Sequence, residues 1–151
     1  MIAQKEVNDC ILATVSNYLS LVMGRDAECL YEDICALIQL PHIMSHEDYV
    51  VWLEGHGMPL EVIPLVAHHY GITLVPTLAR DLPVEPCIVV MPVDTRTEFK
   101  YDCHVILWTG TEIVDPVQFK SLKSTLDDVI DTLPRAVIWA PETTVRIAST
   151  V

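Results

Sequence analysis

The sequence predicts an α+β fold, with helices in the first half and a mostly antiparallel sheet in the second. Three observations predict it. Apolar residues recur at helical spacing as far as Gly71, beyond it they gather into short β-branched runs, and clusters of Pro, Gly and Asp set those runs apart. With 151 residues, 51% of them hydrophobic and 20% charged, the chain has the material for one core. No internal repeat, low-complexity tract or linker divides it, so residues 1–151 are expected to form a single domain.

The first helix is predicted from Cys10 to near Gly24, with Ile11, Val15, Tyr18 and Leu19 on its apolar stripe and a polar approach from Gln4 to Asp9. A second covers 26–40, carries Cys29, Leu30, Ile34, Leu37 and Ile38 inward, and is stopped by Pro41. Ser45 and Asp48 form a capping-box pattern for a short helix over 49–53 that Gly55 closes. A fourth begins near Pro59 or Leu60 and ends at Gly71. Strands are then predicted over 72–75, 87–91, 104–108, 113–114 and 136–139, with Pro76, Pro83, Pro86 and Pro92 marking strand ends or edges. Between 120 and 133, Leu122, Leu126, Val129 and Ile130 give one more helix, with Ser124 or Thr125 as its N-terminal signal.

Nine basic residues face 21 acidic ones, a formal net charge of −12. Such a surface repels a phosphate backbone and an anionic bilayer, which argues against nucleic acid and favours a peptide or protein partner of basic character. The apolar runs are too short and too interrupted for membrane insertion, and no signal-peptide pattern opens the chain. A cytoplasmic protein is expected, of a bacterial cell or of a phage-infected host. Five cysteines, an odd number without C-x-x-C spacing, point to reduced thiols. His42 and His46 are four apart, but Pro41 and the cap at Ser45 keep them off one continuous helix. No metal and no cofactor is expected.

Cys10 stands at the predicted start of a helix, where the positive end of the dipole and the unpaired N–H groups favour a thiolate. It is therefore expected to be more reactive than an ordinary thiol. A thiolate nucleophile needs a base, a group that orients the base, and donors for the oxyanion. His104 in CHVILW and Asp115 in IVDP, eleven residues later, supply the first two. In a hairpin with an even loop centred between Gly110 and Thr111, Ile106 stands opposite Asp115. His104 and Asp115 then share a face as diagonal neighbours roughly 7–8 Å apart. An odd loop without a bulge separates them. Gln4 can bring its amide to the point where the Cys10 N–H donates, completing an oxyanion hole.

These residues carry a resemblance. Gln4, four intervening residues, then Asp9-Cys10 at a helix start, His104 followed by Val105-Ile106-Leu107, and Val114-Asp115-Pro116 resemble the C39-like branch of the papain-like cysteine peptidases. That family shows a Q-x4-D-C motif, a later His opening an apolar strand, and an Asp-Pro after the next strand. The resemblance implies a papain-like fold, N-terminal helices packed on a C-terminal antiparallel sheet. It also implies Gln4 as oxyanion donor, Cys10 as nucleophile, His104 as base and acid, and Asp115 as the residue orienting His104. The family commonly has glycine after the nucleophile, where this chain has Ile11.

Taken singly, each residue has a plainer reading: a small core cysteine, a strand-end histidine, a turn-starting Asp-Pro. Their combination favours catalysis. Cys29, Cys35, Cys87 and Cys103 keep the core reading, with Cys103 on the strand face opposite His104. His68-His69 close a helix, and Trp52, Trp108 and Trp139 are expected as core anchors. The expected function is a cofactor-free thiol hydrolase, a peptidase or amidase acting on a peptide or protein. The same triad supports acyl transfer to an amine, and Ile11 keeps a catalytically silent peptide- or protein-binding module as the other alternative.

Overall fold

The computed structural model describes residues 1–3, 9–78, 81–92, 103–117 and 125–142. Gln4, the 120–124 start of the last predicted helix and the side chain of Cys103 lie outside the described residues.

Helix α1 (Cys10–Met23) is buried on every side from Ile11 to Leu19, which makes it the centre of the molecule rather than a surface helix. Its buried polar side chains are each bonded, as burial demands. Ser16 Oγ donates to the Leu12 carbonyl at 2.7 Å, and the Asn17 amide both accepts from the Ile2 N–H at 2.8 Å and donates to the Ile2 carbonyl at 2.9 Å. Gly24, at φ 69, closes the helix.

Against α1 pack α2 (Ala27–Leu37) and α4 (Val62–His69), while α3 (His46–Leu53) lies on the same cluster through Tyr49 and Trp52. Leu12, Tyr18 and Leu19 share one cluster with Leu30, Ile34, Ile38 and Ile63, each such side chain contributing about 1.5–3 kcal/mol of burial. Ser45 caps α3 through the Asp48 N–H, as its sequence signal predicts, and Asp26 caps α2 through the Cys29 N–H. α2 is shorter than expected. Ahead of Pro41 the chain tightens into turns, with Gln39 N–H on the Ala36 carbonyl and Leu40 N–H on that of Leu37, because a residue before proline is disfavoured in the α region.

Five strands form one antiparallel sheet in the order β1-β5-β2-β3-β4: β1 (Leu74–Thr77), β2 (Cys87–Pro92), β3 (Cys103–Trp108), β4 (Ile113–Val114) and β5 (Val137–Pro141). β1 starts two residues later than predicted because the end of α4 takes the residues before it. Gly71 N–H bonds the His68 carbonyl and Ile72 N–H that of Ala67, a Schellman closure. Pro76 falls inside β1, an edge strand, and Pro92 ends β2, the positions that a missing N–H allows.

Val105 and Leu107 of β3, with Ile88 and Val90 of β2, join the α1 cluster. Ile106, Trp108, Val89 and Ile138 face the other way, onto Val129 of α5 (Leu126–Thr132) and Leu133. The fold is therefore α+β, with most helices on one sheet face and α5 on the other. Thr125 and Asp128 close a capping box at the start of α5. Among the described residues no helix is long and apolar enough to cross a membrane.

Candidate active site

Residues 109–112 connect β3 to β4, an even loop of four, with Leu107 opposite Val114 and Trp108 opposite Ile113. The turn is held by Thr109, whose N–H donates to the Glu112 carbonyl at 3.0 Å while its hydroxyl accepts from the Glu112 N–H at 3.1 Å. Carried one step further, that register sets Ile106 opposite Asp115. His104 and Asp115 then share a face, and the His104 Nε2 to Asp115 Oδ2 distance is 2.7 Å. Asp115 is 3% exposed and His104 22%. The other carboxylate oxygen, Oδ1, accepts from the Val117 N–H at 3.0 Å. Asp115 thus starts a turn and orients a histidine at once. An ionised carboxylate only accepts, so a neutral His104 in this pair carries its proton on Nε2 and its lone pair on Nδ1.

The same register sets Pro116 opposite Val105. Hydrogen-bonded pairs recur every second residue along an antiparallel ladder, so the Val105 N–H and C=O point to the β4 side, as those of Thr109 do. Proline has no N–H to continue the ladder, and the first turn of α1 takes its place. The Thr14 hydroxyl donates to the Val105 carbonyl at 3.0 Å, and the Val105 N–H faces the Cys10 sulfur. The Cys10 thiol therefore meets the backbone of the residue that follows His104. It does so at the strand edge: the body of α1 covers the Val105 face of β3, and His104 belongs by alternation to the other face.

Burial pushes the Cys10 thiol up, from 9.0 to about 11, and the charge of Asp9 adds to the rise. N–H groups of Val105, Ile11 and Cys10 itself work in the opposite direction. This corrects the expectation of a reactive resting thiolate. A helix N-terminus is worth about 0.3–1 kcal/mol to a nearby anion, less than one pKa unit, and removing the sulfur from water outweighs it. Cys87, fully buried in the sheet, is pushed up to about 12 by the same cause.

Asp9 occupies the N-cap position of α1 but makes no cap bond with its side chain. It is fully buried and accepts instead from the Tyr31 hydroxyl of α2. Tyr31 and Thr14 escaped the sequence reading. Thr14 could have been found from the pairing of Pro116 with Val105 once the hairpin was assumed; nothing in the sequence pairs Tyr31 with Asp9.

Trp108 is buried, with its indole N–H on the Pro83 carbonyl at 2.6 Å, while Trp52 and Trp139 pack half-buried on the α1 cluster. His68 and His69 lie in the last turn of α4. Cys10, Cys29, Cys35 and Cys87 are in the reduced, thiol form. Among the described residues no group of three or more His, Cys, Asp or Glu side chains is placed to hold a metal. A groove of about 420 Å³ between α2 and α4 is lined by Asp33, Leu37, His69 and Tyr70 among others, and not by Cys10, His104 or Asp115. No protein-family model, curated protein or solved structure matches the chain.

Proposed function

We propose that the chain is a cysteine hydrolase of the papain-like type, related to the C39-like peptidases, which cleaves a peptide or amide bond through a thioester on Cys10. The observation that carries this reading is the His104–Asp115 pair at 2.7 Å, on the strand whose next residue meets the Cys10 sulfur.

In this reading Cys10 attacks the substrate carbonyl and gives its proton to His104 Nδ1 in the same step. The raised thiol makes that coupling necessary, because no resting ion pair supplies the thiolate. The Cys10 N–H and the Gln4 amide hold the oxyanion. Collapse breaks the C–N bond, His104 protonates the departing amine, and a water deprotonated by His104 then attacks the thioester to free the acid and the thiol. Asp115 keeps the imidazole in the tautomer this needs. No organic cofactor or metal enters these steps. An amine in place of water would give acyl transfer from the same thioester.

The test is covalent trapping with peptidyl epoxides and vinyl sulfones, which need both a nucleophilic thiol and a proton donor beside it. The expected result is a single adduct on Cys10, absent in Cys10→Ala and lost in His104→Ala. An adduct that survives His104→Ala, or spreads over Cys29 and Cys35, would sink the reading. The thiol raised to about 11, with Ile11 next to it, favours one alternative, a silent peptide- or protein-binding module. Complete absence of an adduct would decide for it.

A further inference from the structure

We propose that Tyr31 is a positioning residue for Cys10: its hydroxyl holds the Asp9 carboxylate off the N-terminus of α1 and so keeps the Ile11 amide for the sulfur. This rests on the reading of Cys10 as the nucleophile.

An aspartate at an N-cap ordinarily accepts from the N–H of the second or third helical residue, here Ile11 or Leu12. Asp9 does not, although it occupies that position. Its carboxylate is turned to α2, where the Tyr31 hydroxyl donates to Oδ2. Both side chains are enclosed, Asp9 at 0% exposure and Tyr31 at 7%. The Ile11 N–H, which a capping carboxylate would take, is one of the groups that face the Cys10 sulfur and lower its proton affinity. Thiolate and carboxylate therefore compete for one donor, and Tyr31 decides the competition by offering the carboxylate another.

The bond also spreads the Asp9 charge over a second residue. Burial and Asp9 together keep the Tyr31 phenol protonated well beyond its ordinary range, so it stays a donor across the working pH. Cys35, one turn further along α2, touches the same hydroxyl. Among the described residues, the titratable groups in contact with this pair are Cys35 of α2, beside the Tyr31 hydroxyl, and Cys10, beside Asp9.

The experiment is the rate of Cys10 carboxamidomethylation by iodoacetamide, from about pH 7 to about pH 10, with modified sites located by peptide mapping. It compares the unmodified protein, Tyr31→Phe, Asp9→Asn and the double variant. Without the Tyr31 hydroxyl, the Asp9 carboxylate in Tyr31→Phe turns to the Ile11 N–H and slows Cys10 by about tenfold at fixed pH, equivalent to one pKa unit. Asp9→Asn removes the charge and speeds it. The double variant reacts like Asp9→Asn, because no carboxylate is left to be released.

An unchanged Cys10 profile in Tyr31→Phe, even with a lower melting temperature, would overturn the proposal and leave Tyr31 a packing residue. Equal slowing by Tyr31→Phe in both backgrounds would overturn it too. Should Tyr31→Phe not fold, Tyr31→Leu takes its place, alone and with Asp9→Asn, and is read against the same outcomes. Iodoacetamide needs no proton donor, so the Tyr31 effect is readable in His104→Ala as well. If it persists there while the epoxide adduct proves independent of His104, the hydrolase reading falls and the Tyr31 assignment stands.

Discussion

The Thr14 hydroxyl stands in for an amide that Pro116 lacks, donating to the Val105 carbonyl at 3.0 Å where the β3–β4 ladder would otherwise continue. A buried carbonyl deprived of its donor costs about 1–3 kcal/mol. Thr14→Val keeps the shape of the side chain and removes the donor, so the urea midpoint should fall by an amount in that range. Trapping of Cys10 by epoxide should slow with it, since this bond ties the Cys10 turn to β3. Thr14→Ser should restore both. A Thr14→Val protein as stable and as reactive as the parent would show that the bond carries no load.

The Asp115 carboxylate lies 2.7 Å from His104 Nε2, and when ionised it pairs only with a protonated Nε2. Asp115→Asn offers an amide that can donate to Nε2 and so move the proton of the neutral imidazole to Nδ1. Trapping at neutral pH should drop by roughly 10²–10⁴-fold, the scale seen when a triad loses its orienting acid. The measurement is the second-order rate of epoxide adduct formation on Cys10. A loss of only two- or threefold would mean that His104 is oriented by its packing alone.

Folded Cys10 and Cys87 keep their protons to about pH 11 and about pH 12, and Tyr18 keeps its own to about 12. In the unfolded chain, thiols ionise near ~8.5 and tyrosine near ~10. Above ~8.5 the unfolded state therefore binds fewer protons, and stability must fall as pH rises. Below ~8.5 this contribution is fully present. Urea midpoints should be flat to about pH 8 and then decline steadily, with Cys87→Ala declining less steeply. A midpoint that rises with pH in that range would contradict the burial of both thiols.

Gly110 sits at φ 105 in the β3–β4 turn, and a Cβ there would lie 2.5 Å from the Val84 carbonyl oxygen. Gly110→Ala forces either the turn or the 81–86 loop to move, at about 1–3 kcal/mol for the strained backbone alone. The turn also sets the register of Asp115, so this variant should lose more trapping than a surface change of equal destabilisation. Comparing it with Leu126→Ala, an exposed change on α5, separates the two effects.

Much of this was legible in the sequence because it depends on local signals. The caps at Ser45 and Thr125, the closing glycines, and the even loop that joins His104 to Asp115 each follow from a few adjacent residues. The position of β5 between β1 and β2 could not be read, because no short-range pattern says which strand enters the middle of a sheet. The upward push on the Cys10 thiol was out of view for a related reason. Its helix-end location is local and visible, whereas the enclosure of its sulfur is created by β3, far along the chain, and the second effect is the larger. The link from Tyr31 to Asp9 is likewise a product of how α1 and α2 lie against each other.

The place of β5 has a temporal consequence. A ribosome delivers β1, β2, β3 and β4 before it delivers the strand that joins β1 to β2, so the growing chain holds two unfilled sheet edges until its last described strand emerges. Pairings of such long sequence separation also make for slow folding. Val137 and Trp139 of that late strand pack against the α1 cluster, which ties the bedding of the central helix to its arrival. A chain stopped short of that strand would carry Cys10, His104 and Asp115 on α1, β3 and the turn after β4 while β1 and β2 stayed unjoined.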